Sequence, residues 1–381
     1  MRHRLMTTAS VTLSFLWAAV SVLSLGYDIE GVSLSLKASV SEASVAILLS
    51  WEVGAVASVL LGRLADRIGD RPVMVMSSSL LALGLLLAAA SRGLCGLYVA
   101  WALVGVGANS NNGIAYYVAA DLHPSRSGTT IGVLESLYFV GAMIMSGLYA
   151  ALGASGWRLT FLLLSALNVI SAVLLALSKF PPRRQAVALR LSSIPAKPLL
   201  FSSTIMASYF ILTVPLLTYP TYTLSLAGIG GSLASVVISA ASAAGIISYV
   251  SIGALSDRVG RRLPLAIAGI MGAASGALML ALTSNKAVFA TAYAVAVAAS
   301  GFFSAAGAWV TELFPGSSEG LAINLSLLFG RVIGGLAPFL VTLPSSGRGL
   351  IMAVLVASTI LIVSSALAPR ARTAETKERK T

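Results

Sequence analysis

Residues Gly62 to Arg71 read G-R-L-A-D-R-I-G-D-R, and residues Gly253 to Arg262 read G-A-L-S-D-R-V-G-R-R. The two stretches lie 191 residues apart. The same offset carries Asp66 onto Asp257, Gly69 onto Gly260, and Asp121-Leu-His-Pro124 onto Glu312-Leu-Phe-Pro315. Landmarks repeated at one spacing in a chain of 381 residues mark two copies of one half-molecule. Each stretch sits where one long apolar run stops and another begins.

Composition then sets the solvent. The chain is 57% hydrophobic and 10% charged, with a mean hydropathy of +0.92, whereas soluble domains carry about 25% charged residues. A helix needs about 20 apolar residues to cross a bilayer, and a barrel strand about 9–11. Twelve runs of helix length can be counted, at 8–34, 43–64, 72–91, 95–118, 128–151, 158–179, 199–225, 233–255, 264–283, 287–310, 320–343 and 348–368. The expected fold is an all-α membrane protein of twelve transmembrane helices in two matched halves, 1–180 and 199–368. A basic, proline-bearing linker at 181–198 separates them, and 369–381 form a tail.

A formal charge of +12 is compatible with a nucleic-acid partner, but its placement points to a membrane. Of the 25 Lys and Arg, 19 fall on the side of the N-terminus. Five fall on the other side (Lys37, Arg92, Arg158, Lys286, Arg348), and Arg331 lies inside the eleventh run. Positive loops stay cytoplasmic, so both termini are expected there, in a plasma-membrane protein attracted to anionic lipid and not to nucleic acid. Arg2-His3-Arg4 ahead of the first run resembles a secretory leader, yet the run is too long for one and its loss would break the twofold pattern. The lone Cys95 excludes an intrachain disulfide. His3 and His123 both sit at the cytoplasmic edge, and no metal-ligand spacing or nucleophile–base pair is visible. Neither a cofactor nor an enzymatic activity is expected.

Ionisable groups inside the runs are the informative exceptions, because a carboxylate in hydrocarbon costs about 2.5–3.5 kcal/mol even on insertion scales. Asp28 and Glu30 close the first run, two residues and so about 200° apart around a helix. Asp28 is assigned to an interior cavity and Glu30 to the outer surface, the alternative being that both are interfacial and solvated. Glu52 lies ten residues before Gly62 and Glu135 seven past Gly128, which places them about 15 and 10 Å deep. Asp28, Glu52 and Glu135 are the candidate proton-coupling groups. Their repeat equivalents for Glu52 and Glu135 are Ala243 and Ser326, so the second half offers a cation, Arg331, in place of acids. Gly105, Asn109, Asn112 and Tyr116 form a stripe on the fourth run, fit either for a cavity wall or for gluing helices together. Tyr219 and Tyr222 flank a break at Pro215 and Pro220, where an interrupted helix lines a cavity or simply kinks. Arg331, Asn109, Asn112, Tyr116, Tyr219 and Tyr222 are the candidate substrate-binding residues.

The chain resembles the major facilitator superfamily. The resemblance rests on Gly62, Asp66, Arg67, Gly69 and Arg71 with their echoes Gly253, Asp257, Arg258, Gly260 and Arg262. Further support comes from Asp121-Leu-His-Pro124 with Arg126 and Gly128, Glu312-Leu-Phe-Pro315 with Gly320, and Gly156-Trp157-Arg158 with Phe161. Within the superfamily, Gly26-Tyr27-Asp28 resembles the first helix of sugar porters and of proton-coupled metabolite and aromatic-acid symporters. Gly330-Arg331 with Gly334, Gly335 and Pro338 resembles the eleventh helix of the organic-acid and organic-ion branch. The arginine usual four residues before the helix 4 glycine is replaced by Trp101 ahead of Gly105, so Asp28 lacks its sugar-porter partner.

The resemblance implies two pseudo-symmetric six-helix bundles around a central site opened alternately to each face. Asp66, Arg67, Arg71, Asp121, Arg126, Asp257, Arg258, Arg262 and Glu312, with the loop glycines, would latch the cytoplasmic gate. The implied function is proton-coupled symport of a small organic acid by a monomer, with protons, a small-molecule substrate and the lipid bilayer as partners. Neutral-solute symport, drug or metabolite export, and a non-transporting membrane sensor are the competing readings.

Overall fold

The computed structural model describes residues 2–122, 127–180, 195–313, 319–340, 342 and 348–367. Sixteen α-helices occupy them, and no strand is found among the described residues. In the first half these are α1 (Arg2–Tyr27), α2 (Ile29–Leu36), α3 (Val40–Ile68), α4 (Asp70–Ala90), α5 (Leu94–Leu122), α6 (Ser127–Leu152) and α7 (Trp157–Leu177). In the second they are α8 (Ala196–Thr213), α9 (Pro220–Ser225), α10 (Gly231–Val259), α11 (Arg262–Ala281), α12 (Lys286–Ala299), α13 (Phe302–Leu313), α14 (Glu319–Gly335), α15 (Ala337–Leu340) and α16 (Arg348–Leu367). Ten helical stretches among the described residues are long and apolar enough to cross a membrane. The fourth expected run coincides with α5, and the eleventh is split between α14 and α15 at Leu336, leaving a shorter apolar stretch, Leu325–Leu340.

The repeat read from the sequence is visible in the backbone. Gly69 joins α3 to α4 at φ +93°, and Gly260 ends α10 ahead of α11 at φ +81°. Both values lie where a Cβ is disfavoured, so the two glycines at one offset make equivalent turns. We call the face carrying these loops the motif face and the opposite one the far face.

Single runs are broken where the side chains demand it. The first run stops at Tyr27 and restarts at Ile29, with Asp28 between them at φ −100°, ψ 9°. The seventh passes from α8 through a π-helical turn, Val214–Thr218, into α9. Pro215 and Pro220 cannot donate ladder hydrogen bonds, and Thr223 Oγ1 recovers one freed carbonyl, that of Pro215, at 2.8 Å.

Packing within each half depends on small residues, because lipid supplies no hydrophobic drive between helices. A Cβ on Gly105 of α5 would stand 2.6 Å from the Ser50 carbonyl carbon of α3. The α3–α5 seam therefore closes backbone to backbone. Polar side chains fasten the same half internally: Asn111 Nδ2 donates to Ser14 Oγ at 2.5 Å and Ser78 Oγ at 3.1 Å, tying α5 to α1 and α4.

At the far face Arg158 braces three helices. Its Nη1 donates to Ser35 Oγ at 2.9 Å, its Nη2 to the Ser91 carbonyl at 3.1 Å, and its guanidinium lies 4.0 Å over the Trp157 ring. Each such charged hydrogen bond contributes about 1.5–3 kcal/mol when shielded and less when wet. Arg158→Ala is expected to lower the thermal unfolding midpoint by a few degrees, and Arg158→Lys to recover little, since an ammonium cannot reproduce the fork. A midpoint unchanged in the alanine variant would remove this brace from the account.

Candidate functional site between the halves

The halves meet through α6 on α10, α3 on α14 and α15, and α1 on the π turn and α9. At the far face, Gly26 of α1 sits against the Thr218 carbonyl, and a Cβ there would overlap that oxygen. Thr221 Oγ1 donates to the Tyr27 carbonyl at 3.0 Å, and Ser225 Oγ to Glu30 Oε1 at 3.5 Å. Deeper, Ser146 and Ser239 hydroxyls are 2.9 Å apart, and the Phe139 and Tyr249 rings meet edge-on at 5.1 Å.

At mid-depth a polar cluster spans the interface. Glu135 of α6 is buried, and Tyr116 of α5 donates its hydroxyl to Glu135 Oε1. Three residues on, Tyr138 shares the face of Glu135 and accepts from Asn112 Nδ2 at 2.5 Å. Phe15 of α1 backs both tyrosines, with ring centroids at 5.5 and 5.7 Å. From the second half, Tyr249 of α10 donates to the Tyr209 hydroxyl of α8 at 2.9 Å. Tyr209 stacks on Phe303 of α13 at 3.9 Å. Arg331 of α14 lies 5.7 Å over the ring of Phe210, and Phe210 in turn meets Trp51 of α3 at 5.5 Å. Arg331 is close enough to act electrostatically on Glu135, Tyr116, Tyr138 and Tyr209. The cluster thus takes an acid from one half and lies within electrostatic range of a cation from the other.

The structure brings together Glu135, Asn112, Tyr116 and Arg331, and it places the other candidates elsewhere. Asn109 donates to the Gly105 and Ser50 carbonyls at 2.9 and 3.4 Å, fastening the α3–α5 seam. Glu52 is half-buried with Oε1 unpartnered, set against Gly335 at the α3–α14 contact. Asp28 is 1% exposed with Oδ2 unpartnered, at the joint between α1 and α2 and so by the far gate. Tyr219 is buried at the same gate, its hydroxyl 3.4 Å from the Pro338 carbonyl, and Tyr222 is half-buried nearby on α9. On the motif face Gly62 has open space around it, and Arg67, Arg71, Arg258 and Arg262 are exposed. Asp66 is exposed as well and engages a neighbour. Gly253 lies 3.4 Å from Ser304 Oγ, measured from where its Cβ would be. Arg126 falls outside the described residues, as do the side chains of Asp121, Asp257 and Glu312.

Tyr138, Tyr209, Tyr249, Phe210, Phe303 and Trp51 went unnoticed in the sequence. Tyr138 alone had a local signal, its spacing of three from Glu135. The rest look like ordinary apolar positions until neighbouring helices are known.

Two helical halves thus meet around a polar cluster at mid-depth. The sequence model of the Major Facilitator Superfamily matches residues 6–296 and 199–381. The chain belongs to the major facilitator superfamily. It is a multi-pass membrane transporter and not an enzyme. The chain is 30% identical over 237 residues to an uncharacterized 38 kDa protein in the 23S RNA operon of Thermoproteus tenax, covering 60% of each. Solved structures share the fold at low identity. A bacterial homolog of the human lysosomal transporter Spinster, inward-facing and occupied, superposes with a TM-score of 0.75 at 16% identity over 96% of each chain. The xylose transporter XylE from E. coli, partially occluded and inward open, gives 0.74 at 13% over 97% and 98%. The nucleoside transporter NupG gives 0.75 at 15% over 95% and 98%.

Proposed function

We propose that this superfamily member is a proton-coupled symporter that takes up a small organic acid by alternating access. The observation carrying this reading is that Glu135, held by Tyr116 on one half, lies within electrostatic range of Arg331 on the other. Arg331 receives the substrate carboxylate. Two anions beside one guanidinium leave an uncompensated charge in a low-dielectric site, which is costly. A proton on Glu135 cancels it, so substrate and proton travel together. Asp28 is a second coupling group, wrapped by the far gate, and Glu52 reports closure where α3 meets α14.

Residues 1–180 and 199–368 move as two bundles joined by 181–198, in a monomer of the plasma membrane. Both termini are cytoplasmic, as the excess of Lys and Arg on the motif face supports. The far face is then the outer gate, closed here. The motif-face loops act as the cytoplasmic latch.

In proteoliposomes, uptake of the acid is expected to accumulate against its gradient when the outside is acidified. Glu135→Gln is expected to retain exchange of labelled for unlabelled substrate but to lose the response to the pH gradient. Accumulation that still follows the gradient in this variant would move coupling away from Glu135.

A further inference from the structure

We infer that an anionic phospholipid binds on the outer wall of the first half, its phosphate at the motif-face edge and one acyl chain laid between α4 and α7. A groove of about 450 Å3 runs there, lined by Val75, Ala82 and Leu86 of α4 and by Ser165, Val169 and Ala176 of α7. Beyond each other, α4 packs on α5, α3 and α1, and α7 on α1 and α6, all of them elements of the first half. The groove therefore lies away from the seam between the halves, on a surface that meets lipid. Its hydroxyls are satisfied internally: Ser165 Oγ donates to the Ala82 carbonyl at 2.7 Å and Ser79 Oγ to the Val75 carbonyl at 2.9 Å. What remains for an occupant is apolar.

Length and charge choose that occupant. Val75 to Leu86 and Ser165 to Ala176 each advance eleven residues, about 16 Å of helix. That is about half of a 30 Å hydrocarbon core, the depth of one leaflet. Cations stand at the motif-face end. Arg71 lies one turn before Val75, Lys179 three residues past Ala176, and both are exposed. Thr7 Oγ1 donates to the Lys179 carbonyl at 2.7 Å, which brings the start of α1, with exposed Arg4, to the same edge. The nearest acids in sequence, Asp66 and Asp70, already engage neighbours. At the far end the groove stops six residues short of Arg92 and seven short of Arg158. Arg158 is moreover committed to Ser35, Ser91 and Trp157. Cations at a membrane surface attract anionic headgroups. A second copy of this chain fits the groove less well: two copies share one orientation in a bilayer, so a twofold contact here sets basic edge against basic edge.

The test is native mass spectrometry of the purified full chain, delipidated in detergent and reloaded with equal amounts of dioleoyl phosphatidylglycerol and dioleoyl phosphatidylcholine. One phosphatidylglycerol is expected to be retained with a preference of about tenfold over phosphatidylcholine, which surface cations supply. Arg71→Gln combined with Lys179→Gln is expected to remove that preference. Ala176→Phe, which fills the groove from an exposed position, is expected to lower retention of both lipids. Equal retention of the two lipids by the wild-type protein overturns the inference without recourse to any variant. A preference that survives both sets of substitutions also overturns it, by putting the lipid elsewhere. A dimer mass that Ala176→Phe abolishes would give the groove to a second copy instead.

Discussion

Arg331→Ala is expected to reduce uptake of an organic acid in proteoliposomes by about 10- to 100-fold at substrate concentrations below saturation. The size follows from the bond removed. A hydrogen bond between a guanidinium and a carboxylate contributes about 1.5–3 kcal/mol, and each 1.4 kcal/mol is about tenfold in affinity. Loss of the cation also leaves the substrate carboxylate without a partner in a low-dielectric site, which pushes the effect to the upper end of that range. Arg331→Lys should fall between the two, because an ammonium keeps the charge and gives up the planar fork. Folding is a separate matter: the side chain is half-buried over Phe210 and accepts no structural duty comparable to Arg158. Uptake by Arg331→Ala equal to wild type at every substrate concentration would end the anion-site role.

Gly26→Val should hold the far gate open. The atom that a Cβ would meet is the carbonyl oxygen of Thr218, and a main-chain atom cannot swing aside as the tip of a side chain can. Overpacking of this kind costs about 1–3 kcal/mol, often more against backbone, which shifts a two-state population by about 5- to 150-fold. Each half can still fold, because the clash exists only where α1 meets the π turn. The measurement is labelling of a cysteine placed at Thr221, buried behind this contact, in a Cys95→Ser background because the native thiol is exposed. A membrane-impermeant maleimide added at the far face should react slowly with the parent and at least fivefold faster with Gly26→Val, and transport should be lost. Equal labelling rates with intact transport would mean that the gate closes without this approach. Gly335 offers a milder version of the same experiment, since its Cβ would meet the movable Glu52 side chain as well as Trp51 Cβ at 3.2 Å.

Much of the architecture could be read before any coordinates. The 191-residue offset foretold paired turns, and Gly69 and Gly260 make them with matching positive φ. The break at Pro215 and Pro220 also appears, as a π turn followed by α9. Less legible was the stripe on α5. Asn109, Asn112 and Tyr116 share a face by spacing, yet Asn109 turns to α3 while Asn112 and Tyr116 turn to α6. A stripe 100° wide borders two neighbours at once, and spacing does not say where the boundary falls. The acids divide in the same way. Asp28, Glu52 and Glu135 look alike as charges in apolar runs, but only Glu135 is met by Tyr116 and by the field of Arg331.

The sequence by itself determined that this chain is a helical membrane protein made of two related halves, with both glycine turns in register. Those properties follow from hydropathy, helix length and backbone preference, each of which acts over a few neighbouring residues. Which buried acid faces the cation, which tyrosines join it, and which glycine the far gate closes upon were decided only by the tertiary structure. Those are contacts between helices from opposite halves, and the approach of two surfaces far apart in the chain leaves no periodic trace in either one.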